Sequence, residues 1–113
     1  MVQFLLLSGS LVNHKNDCGN TALIWASFFG SLGIVKLLVE NGAKVNHQNN
    51  CGYTSLMWAA RGGNLDIVKY LVEKGGDVSL CSVGRIDALF FARLRRRKDV
   101  EEYLISLKNS DTQ

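Results

Sequence analysis

The sequence predicts an all-α solenoid, in which short helix-turn-helix units stack on one another and are joined by short finger turns. Three observations predict this fold class: a repeat of 33 residues, the signals of two capped helices in each repeat, and apolar faces that no single unit can bury. Residues 14–46 laid over residues 47–79 without a gap are identical at 18 of the 33 positions. This identity indicates an internal duplication, and periods of about 20 to 50 residues are typical of stacked repeats.

The same phase extends in both directions along the chain. Residues 1–13 match the end of a unit, and residues 80–108 match a unit that has diverged. The length of 113 residues and the hydrophobic content of 47% fit one globular domain. We therefore predict a single domain that spans the whole chain, with a partial repeat at 1–13, repeats at 14–46 and 47–79, a divergent C-terminal capping repeat at 80–108 and a tail at 109–113.

The first full repeat carries start and stop signals for two helices. Thr21 is suited to cap a first helix that ends at Gly30. Ser31 is placed to cap a second helix that closes at Gly42, and apolar residues recur within it at spacings of three and four. The next repeat carries the same signals at Thr54, Gly63, Asn64 and Gly75. Helices this short are unstable alone, so the stacking of units must bury their apolar faces.

These residues resemble the ankyrin repeat. The resemblance rests on Asn16–Leu23, Ala26, Gly30, Ile34–Leu38 and Gly42–Asn46 in the first full repeat. The segment from Asn49 to Val78 resembles the next copy of the same family pattern. The resemblance implies stacked helix pairs and a function in protein-protein interaction through a concave face and finger turns.

One element departs from the family pattern in every unit. The family's Thr-Pro-Leu-His appears at 21–24, 54–57 and 87–90 as Thr-Ala-Leu-Ile, Thr-Ser-Leu-Met and Asp-Ala-Leu-Phe. In the family, the histidine usually makes hydrogen bonds between repeats. Because this chain lacks it, we expect apolar packing to replace those bonds.

Large apolar residues recur in the first helix of every unit. They are spaced by 33 residues in two series, which are Trp25, Trp58 and Phe91, and Ile24, Met57 and Phe90. Periodic large apolar residues are more typical of a core than of a cofactor site. We expect them to be buried and to form a ladder of aromatic contacts between the units.

Two aromatic residues break the repeat. Phe28 and Phe29 have Arg61 and Gly62 as their counterparts, whereas a core position is expected to stay apolar in both copies. In the ankyrin family, the end of the first helix and the residues around the finger border the concave surface that usually takes partners. The resemblance therefore implies a protein-binding site at Asp17, Asn20, Phe28, Phe29, Asn50, Tyr53 and Arg61. The alternative is that the two phenylalanines cover the surface of a missing neighbouring unit.

The positive charge is local. The chain carries a net charge of +3, but the segment from Arg85 to Lys98 has six basic residues and one acidic residue, against seven and nine elsewhere. A terminal repeat needs a polar outer face. We predict that this face is supplied by Arg93, Arg95, Glu101, Glu102 and Lys108. A role of the segment in nuclear targeting or in binding an acidic partner is the alternative.

Histidine and cysteine recur on the predicted fingers as His14 with Cys18 and His47 with Cys51, followed by Cys81. Such side chains bind zinc, but this spacing resembles no compact zinc site, and duplication explains the recurrence. We expect no metal and no cofactor. Stacked helices lie about 8 to 10 Å apart, beyond the roughly 7 Å that a disulfide spans. The cysteines therefore indicate reduced thiols in an intracellular compartment, cytoplasmic or nuclear.

The segment Val2–Leu7 is apolar but lacks the basic residues that precede a signal-peptide core. It lies in phase with residues 35–40, so we predict that it is the second helix of a truncated repeat. No first helix precedes it to cover its apolar residues, which predicts either further repeats upstream or self-association through this end. No other stretch approaches the length of a membrane span, so we expect no membrane partner.

Catalysis finds no support in the sequence, which contains no phosphate-binding glycine loop, no nucleophile elbow and no histidines paired at helical spacing. We predict a non-catalytic module that binds a protein partner. One alternative is the binding of nucleic acid or another acidic surface through residues 85–98, which would be salt-sensitive. The other is a fragment that positions another domain of a larger multidomain protein.

Overall fold

The computed structural model describes the backbone of residues 12–111 and the side chains of residues 12–107. Within this range the helices are α1 (Ala22–Phe29), α2 (Leu32–Glu40), α3 (Ser55–Gly62), α4 (Leu65–Glu73), α5 (Ala88–Leu94) and α6 (Lys98–Asp111). The described part contains no β-strand, and the predicted all-α fold class is confirmed. The predictions for the apolar segment near the N-terminus lie outside the described residues. Helix α6 ends at Asp111, inside the segment that we predicted as a tail.

The helices form two rows. Helices α1, α3 and α5 pack side by side in an inner row, and each packs against its own partner in an outer row formed by α2, α4 and α6. Contacts are more extensive between neighbouring inner helices than between neighbouring outer helices. This difference places the inner row on the concave side of the stack.

The inner helices begin and end at the predicted residues. The hydroxyl of Thr21 accepts a hydrogen bond from the backbone N–H of Ile24 at 3.5 Å, and Thr54 does the same for Met57 at 3.3 Å. The helices α1 and α3 end before glycines at positions 30 and 63, whose φ angles of 81° and 73° lie in the left-handed region that other residues avoid.

The outer helices begin differently from our prediction. Ser31 and Asn64 precede α2 and α4, but neither side chain makes a capping hydrogen bond. Their ψ angles are 95° and 79°, whereas the capping threonines of α1 and α3 have ψ near 170°. The two-residue connections that follow α1 and α3 hold the backbone N–H groups of Ser31 and Asn64 against the carbonyls of Ala26 and Ala59 at 3.1 Å. This constraint explains why the side-chain caps are absent.

One continuous core runs through the stack. Its members are mostly identical in the two full repeats and occupy equivalent positions, as with Leu23 and Leu56 or Leu38 and Leu71, all of which are buried. The core continues into the divergent unit through buried Val100 and Leu104, together with residues of α5. The apolar faces that a single unit cannot bury are therefore covered by the neighbouring unit, as the sequence predicted.

Asparagine side chains link the units at two junctions of the described stack, whereas the equivalent residue at the next junction, Ser79, bonds to Asp77 of its own unit. Asn46 donates from Nδ2 to the carbonyl of Gly75 at 2.9 Å and accepts at Oδ1 from the backbone N–H of Asp77 at 2.7 Å. Asn13 makes the equivalent pair of bonds one unit earlier, at 3.0 and 2.8 Å. Apolar packing replaces the family histidine where Ile24 is buried, but the hydrogen bonds between units are not lost, because the asparagines supply them.

Candidate protein-binding surface

Most aromatic side chains of the described units contact one another on the inner side of the stack. We call this group the aromatic cluster, and its members are Trp25, Phe28, Phe29, Tyr53, Trp58, Phe90 and Phe91. Neighbouring ring centroids are between 5.2 and 6.4 Å apart. Rings at these separations attract one another beyond their buried area, so the cluster is one connected surface across three units.

Most of the exposed part of the cluster lies on α1, and the rest is Phe90 on α5. Trp25, Phe28 and Phe29 are 44%, 40% and 72% exposed. The ring of Phe28 packs edge-on against Trp58 of the next unit, with centroids 5.3 Å apart and an interplanar angle of 88°. Part of the Phe28 side chain is thus buried in the contact between units, whereas Phe29 projects further into solvent.

The prediction that Trp25 is a core residue is wrong. Its counterpart Trp58 is half-buried because Phe28 packs on it from the preceding unit and Phe91 stacks on it from the following unit, 6.0 Å away. The aromatic neighbours of Trp25 are Phe28 and Phe29 of its own helix. The predicted aromatic ladder does form, but Phe28 rather than Trp25 is the member that contacts Trp58.

The prediction that Phe90 is a core residue is also wrong, and the last unit exposes apolar side chains beside the predicted polar residues Arg93, Arg95 and Glu102. Phe90 and Leu94 are 45% and 60% exposed. The equivalent residues Ile24 and Met57 are buried because another unit follows them. Among the described residues, α5 and α6 form the last unit, and so Phe90 has no such cover.

A shallow cavity lies between α1 and α3. It has a volume of about 220 Å³ and is lined by Asn20, Ile24, Trp25, Phe28 and Trp58. Four of these five side chains are mainly apolar. The fifth is held in place because its Oδ1 accepts a hydrogen bond from Nδ2 of Asn49 at 2.8 Å. The cavity is smaller than the roughly 300 to 1,000 Å³ of sites for drug-sized ligands, and it suits a single large side chain.

Arg61 stands beside the cavity at the end of α3. Its guanidinium carbon lies 5.7 Å from the centroid of the Trp58 ring, within the range of a cation-π contact. Phe28, Arg61 and Leu94 are equivalent residues in the three inner helices, so one column of the concave face carries an aromatic, a basic and an aliphatic side chain. This column is where the three units differ most in chemistry.

The finger residues that we predicted lie at the edge of this surface. Nδ2 of Asn50 donates to the carbonyl of Asp17 at 2.8 Å, which links the two fingers. The ring of Tyr53 lies between Trp58 and Phe91, with centroids 5.5 and 5.7 Å away. The structure therefore brings Phe28, Phe29, Tyr53 and Arg61 into one contact network around Trp58. Asn20 joins this network through the cavity, while Asp17 and Asn50 contact each other.

Sequence reasoning missed Trp25 and Trp58 as members of the surface. Both tryptophans were assigned to the core because they are identical in the two copies. Amino-acid identity cannot distinguish them, because the difference in exposure comes from their neighbours. The signal that could have found Trp25 is the break at Phe28 and Phe29 one helical turn later, since i, i+3 and i, i+4 side chains share a face.

The whole chain matches one protein family, described as ankyrin repeats in three copies, with matches over residues 1–82 and 47–113. The chain belongs to the ankyrin-repeat family. Ankyrin repeats generally serve as protein-protein interaction modules and are typically non-catalytic. None of the curated proteins compared with the chain matches it. Within residues 12–111, no helix is long and apolar enough to cross a bilayer.

The histidine and cysteine residues of these ankyrin repeats lie on the fingers. Nε2 of His47 lies 2.8 Å from the carbonyl oxygen of Gly19, so this ring links neighbouring fingers. Cys18, Cys51 and Cys81 are exposed free thiols. Across the described residues, no three histidine, cysteine, aspartate or glutamate side chains are grouped as metal ligands.

Proposed function

We propose that this ankyrin-repeat chain binds a protein partner through its concave face, with Phe28, Phe29, Tyr53 and Arg61 as the main contacts. The finger residues Asp17, Asn20 and Asn50 border the site. The observation that carries the proposal is the exposure of three large aromatic side chains on the single short helix α1. Contiguous exposed apolar patches mark interaction sites, and aromatic and arginine side chains usually carry most of the energy of an interface.

The fold itself does not require these exposed aromatic side chains. Helix α3 occupies the same place in the next unit with Arg61 and Gly62 at the equivalent positions, and it forms a capped helix of the same length, eight residues. The 72% exposure of Phe29 likewise indicates that packing within the described residues makes little use of it. A partner that covers the ring would give this side chain the burial that the stack does not.

The basic segment supports a structural role better than the binding of nucleic acid. Nε of Arg97 donates to the carbonyl of Arg61 at 3.2 Å, and its side chain covers Gly63 so closely that a Cβ there would lie 2.7 Å from it. Arg93 pairs with Glu101 at 3.3 Å. Two of the six basic side chains between 85 and 98 therefore have structural contacts. Arg97 joins the last unit to the preceding one, and Arg93 joins the two helices of the last unit.

The proposal is tested by capture of the partner from an extract of the cells that express this chain. The immobilised chain is compared with a Phe28→Ala/Phe29→Ala variant and with a Lys36→Ala control, whose exposed side chain belongs to the outer helix α2. We expect a partner retained by the wild type and the control to be lost with the double variant. Each aromatic anchor is expected to contribute about 1 to 4 kcal/mol to binding.

Site-specific photo-crosslinking tests the same site without removing an aromatic side chain. A photoreactive phenylalanine analogue at position 29 is expected to crosslink to the captured protein, and the same analogue at position 36 on the outer helix α2 is not. Partner capture that survives the double variant, with no crosslink from position 29, would contradict the proposed site.

A further inference from the structure

Charge is separated between the two rows of helices. Seven of the ten acidic residues lie in the outer helices α2, α4 and α6, and none lies in α1, α3 or α5. The inner helices carry Arg61 and Arg93, and exposed Arg95 follows α5 directly. Arg93 pairs with Glu101 of α6 at 3.3 Å, so the inner side of the stack is apolar at α1 and offers Arg61 and Arg95 toward α5.

We infer that the partner presents an acidic peptide segment with one large apolar side chain, and that this side chain fills the cavity between α1 and α3. The inference rests on the proposed function and adds the chemical class of the partner. The acidic residues of the segment run from the cavity toward α5, where Arg61 and Arg95 meet them. Carboxylates pair well with arginine because the guanidinium presents its N–H donors in a fork.

The size and lining of the cavity determine which apolar side chain of the peptide segment can bind there. Its walls are the ring edges of Trp25 and Phe28, the ring of Trp58 and the buried side chain of Ile24. A volume of about 220 Å³ accepts one leucine-sized or phenylalanine-sized side chain. One anchor in a pocket with a charged rim is the usual arrangement of a binding hot spot.

The same surface suits single-stranded nucleic acid less well, although that ligand is also acidic. Bases bind such proteins by stacking on open aromatic faces. Here Trp58 stacks on Phe91 with an interplanar angle of 23° and carries Arg61 near its ring, and Trp25 stacks on Phe29 with an angle of 18°. Each tryptophan thus has one ring face occupied by another ring, and the space between α1 and α3 is a cavity instead of a stacking platform.

The test starts with a displayed library of random linear peptides selected on the immobilised full chain. We expect the selected peptides to share one leucine, isoleucine, methionine or phenylalanine followed by aspartate or glutamate residues. A selected peptide with a fluorescent label is then titrated with the chain and with variants, and its anisotropy is measured. Arg61→Glu and Arg95→Glu are each expected to weaken binding about tenfold or more, because a close like charge replaces an ion pair.

Lys36→Glu is the matched control, because it changes the net charge equally on the outer helix α2 and is expected to leave affinity within about twofold. Changing the acidic residues of the peptide to amides is expected to remove the difference between Arg61→Glu and the wild type. A labelled oligothymidylate of the same length is titrated in parallel, and we expect it to bind more weakly.

The outcomes separate the two proposals. Selected peptides that lack acidic residues but still lose binding in Phe28→Ala would overturn the acidic class and leave the concave site standing. Peptides that bind the Phe28→Ala/Phe29→Ala variant as well as the wild type would overturn both. Tighter binding of the oligothymidylate, or a library that yields no peptide with the expected pattern, would also overturn the inference.

Discussion

The two full repeats have almost the same scaffold and different inner faces. In both, a threonine caps the inner helix, a left-handed glycine ends it, and the same leucines and valines fill the core. At the end of the inner helix the first repeat has Phe28 and Phe29, where the second has Arg61 and Gly62. The residues that the copies share build the stack, and the residues in which they differ form the candidate site.

The comparison also teaches that the same residue behaves differently in different units. Trp25 and Trp58 occupy equivalent positions, but Trp58 lies between the aromatic side chains of two neighbouring units, whereas Trp25 is 44% exposed. Position in the stack therefore decides exposure as much as amino-acid type does. The predictions below test which differences between the repeats concern stability and which concern binding.

The largest expected effect is on the shared core. Leu71→Ala and Leu38→Ala each truncate a buried side chain at equivalent positions, and each is expected to lower the free energy of unfolding by about 2 to 5 kcal/mol. Urea denaturation followed by circular dichroism measures both. We expect Leu71→Ala to be the more damaging, because α4 has outer neighbours on both sides within the described units. A loss below about 1 kcal/mol in either variant would show that the shared residues are not the framework.

A smaller loss is expected when the asparagine link between the units is removed. Asn46→Ala deletes two hydrogen bonds, to Gly75 and Asp77, and each such bond is worth about 0.5 to 1.5 kcal/mol. The expected loss of unfolding free energy is therefore about 1 to 3 kcal/mol. Asn46→Asp keeps the acceptor but replaces the donor by a charged oxygen that faces the carbonyl of Gly75, so it should also be less stable than the wild type. Equal stability of all three proteins would show that the hydrogen bonds of Asn46 do not stabilise the contact between the units.

The two phenylalanines should separate stability from binding. Phe28→Ala removes the ring contact with Trp58 of the next unit and two contacts with exposed rings of its own helix. We expect a cost of about 1 to 2 kcal/mol of unfolding free energy, since an aromatic pair contributes about 0.5 to 1.5 kcal/mol and the contacts within the exposed helix face should add little. Phe29→Ala is expected to cost less than about 1 kcal/mol, because its ring is mostly exposed. Thermal melts of both variants check the order. Unfolding of Phe29→Ala as easily as Leu38→Ala would place this residue in the core.

The smallest expected effect depends on pH and occurs in only one repeat. Ser79 donates to the carboxylate of Asp77 from its hydroxyl at 2.6 Å and from its backbone N–H at 2.9 Å. These bonds hold the pKa of Asp77 below its ordinary value of 3.8 in the folded chain. A depressed pKa stabilises the fold above the unfolded value, and this contribution is lost as the pH falls through the folded value.

Ser79→Ala removes the side-chain bond and should lower stability slightly at neutral pH. The difference from the wild type should shrink in acid, as Asp77 takes up its proton in both proteins. Urea titrations at a series of pH values measure it. The equivalent residue in the first repeat is Lys44, so that repeat has no carboxylate at this position to supply the same pH dependence. A stability difference for Ser79→Ala that does not change with pH would contradict the assignment.

Much of the fold could be predicted from the sequence because its signals are local. The spacing of Thr21 and Gly30 gives the ends of α1, and its repetition 33 residues later confirms the phase. The asparagine links were not predicted, because the partners of Asn46 lie 29 and 31 residues away and depend on the stacking geometry.

The candidate site could be predicted only in part. The break in the repeat identified Phe28 and Phe29, since a pattern reveals the positions that depart from it. It could not reveal Trp25, where the amino acid is unchanged and only the neighbours differ. The exposure of Phe90 was missed for the same reason, since its cover depends on a unit that follows and not on its own type.

The hydrogen bonds of the described residues join positions that are close in sequence. The largest separation is 36 residues, between Arg97 and Arg61. Among the described residues, no hydrogen bond joins the first unit to the last. When the two ends are pulled apart, no long-range contact therefore has to break before individual units unfold. We expect a stretched molecule to lose terminal units first and to lengthen in steps, since each unit of 33 residues contains about 110 Å of extended chain. When the tension is removed, the units should refold quickly because their contacts close only short loops. The stack should therefore extend and shorten reversibly, one repeat at a time.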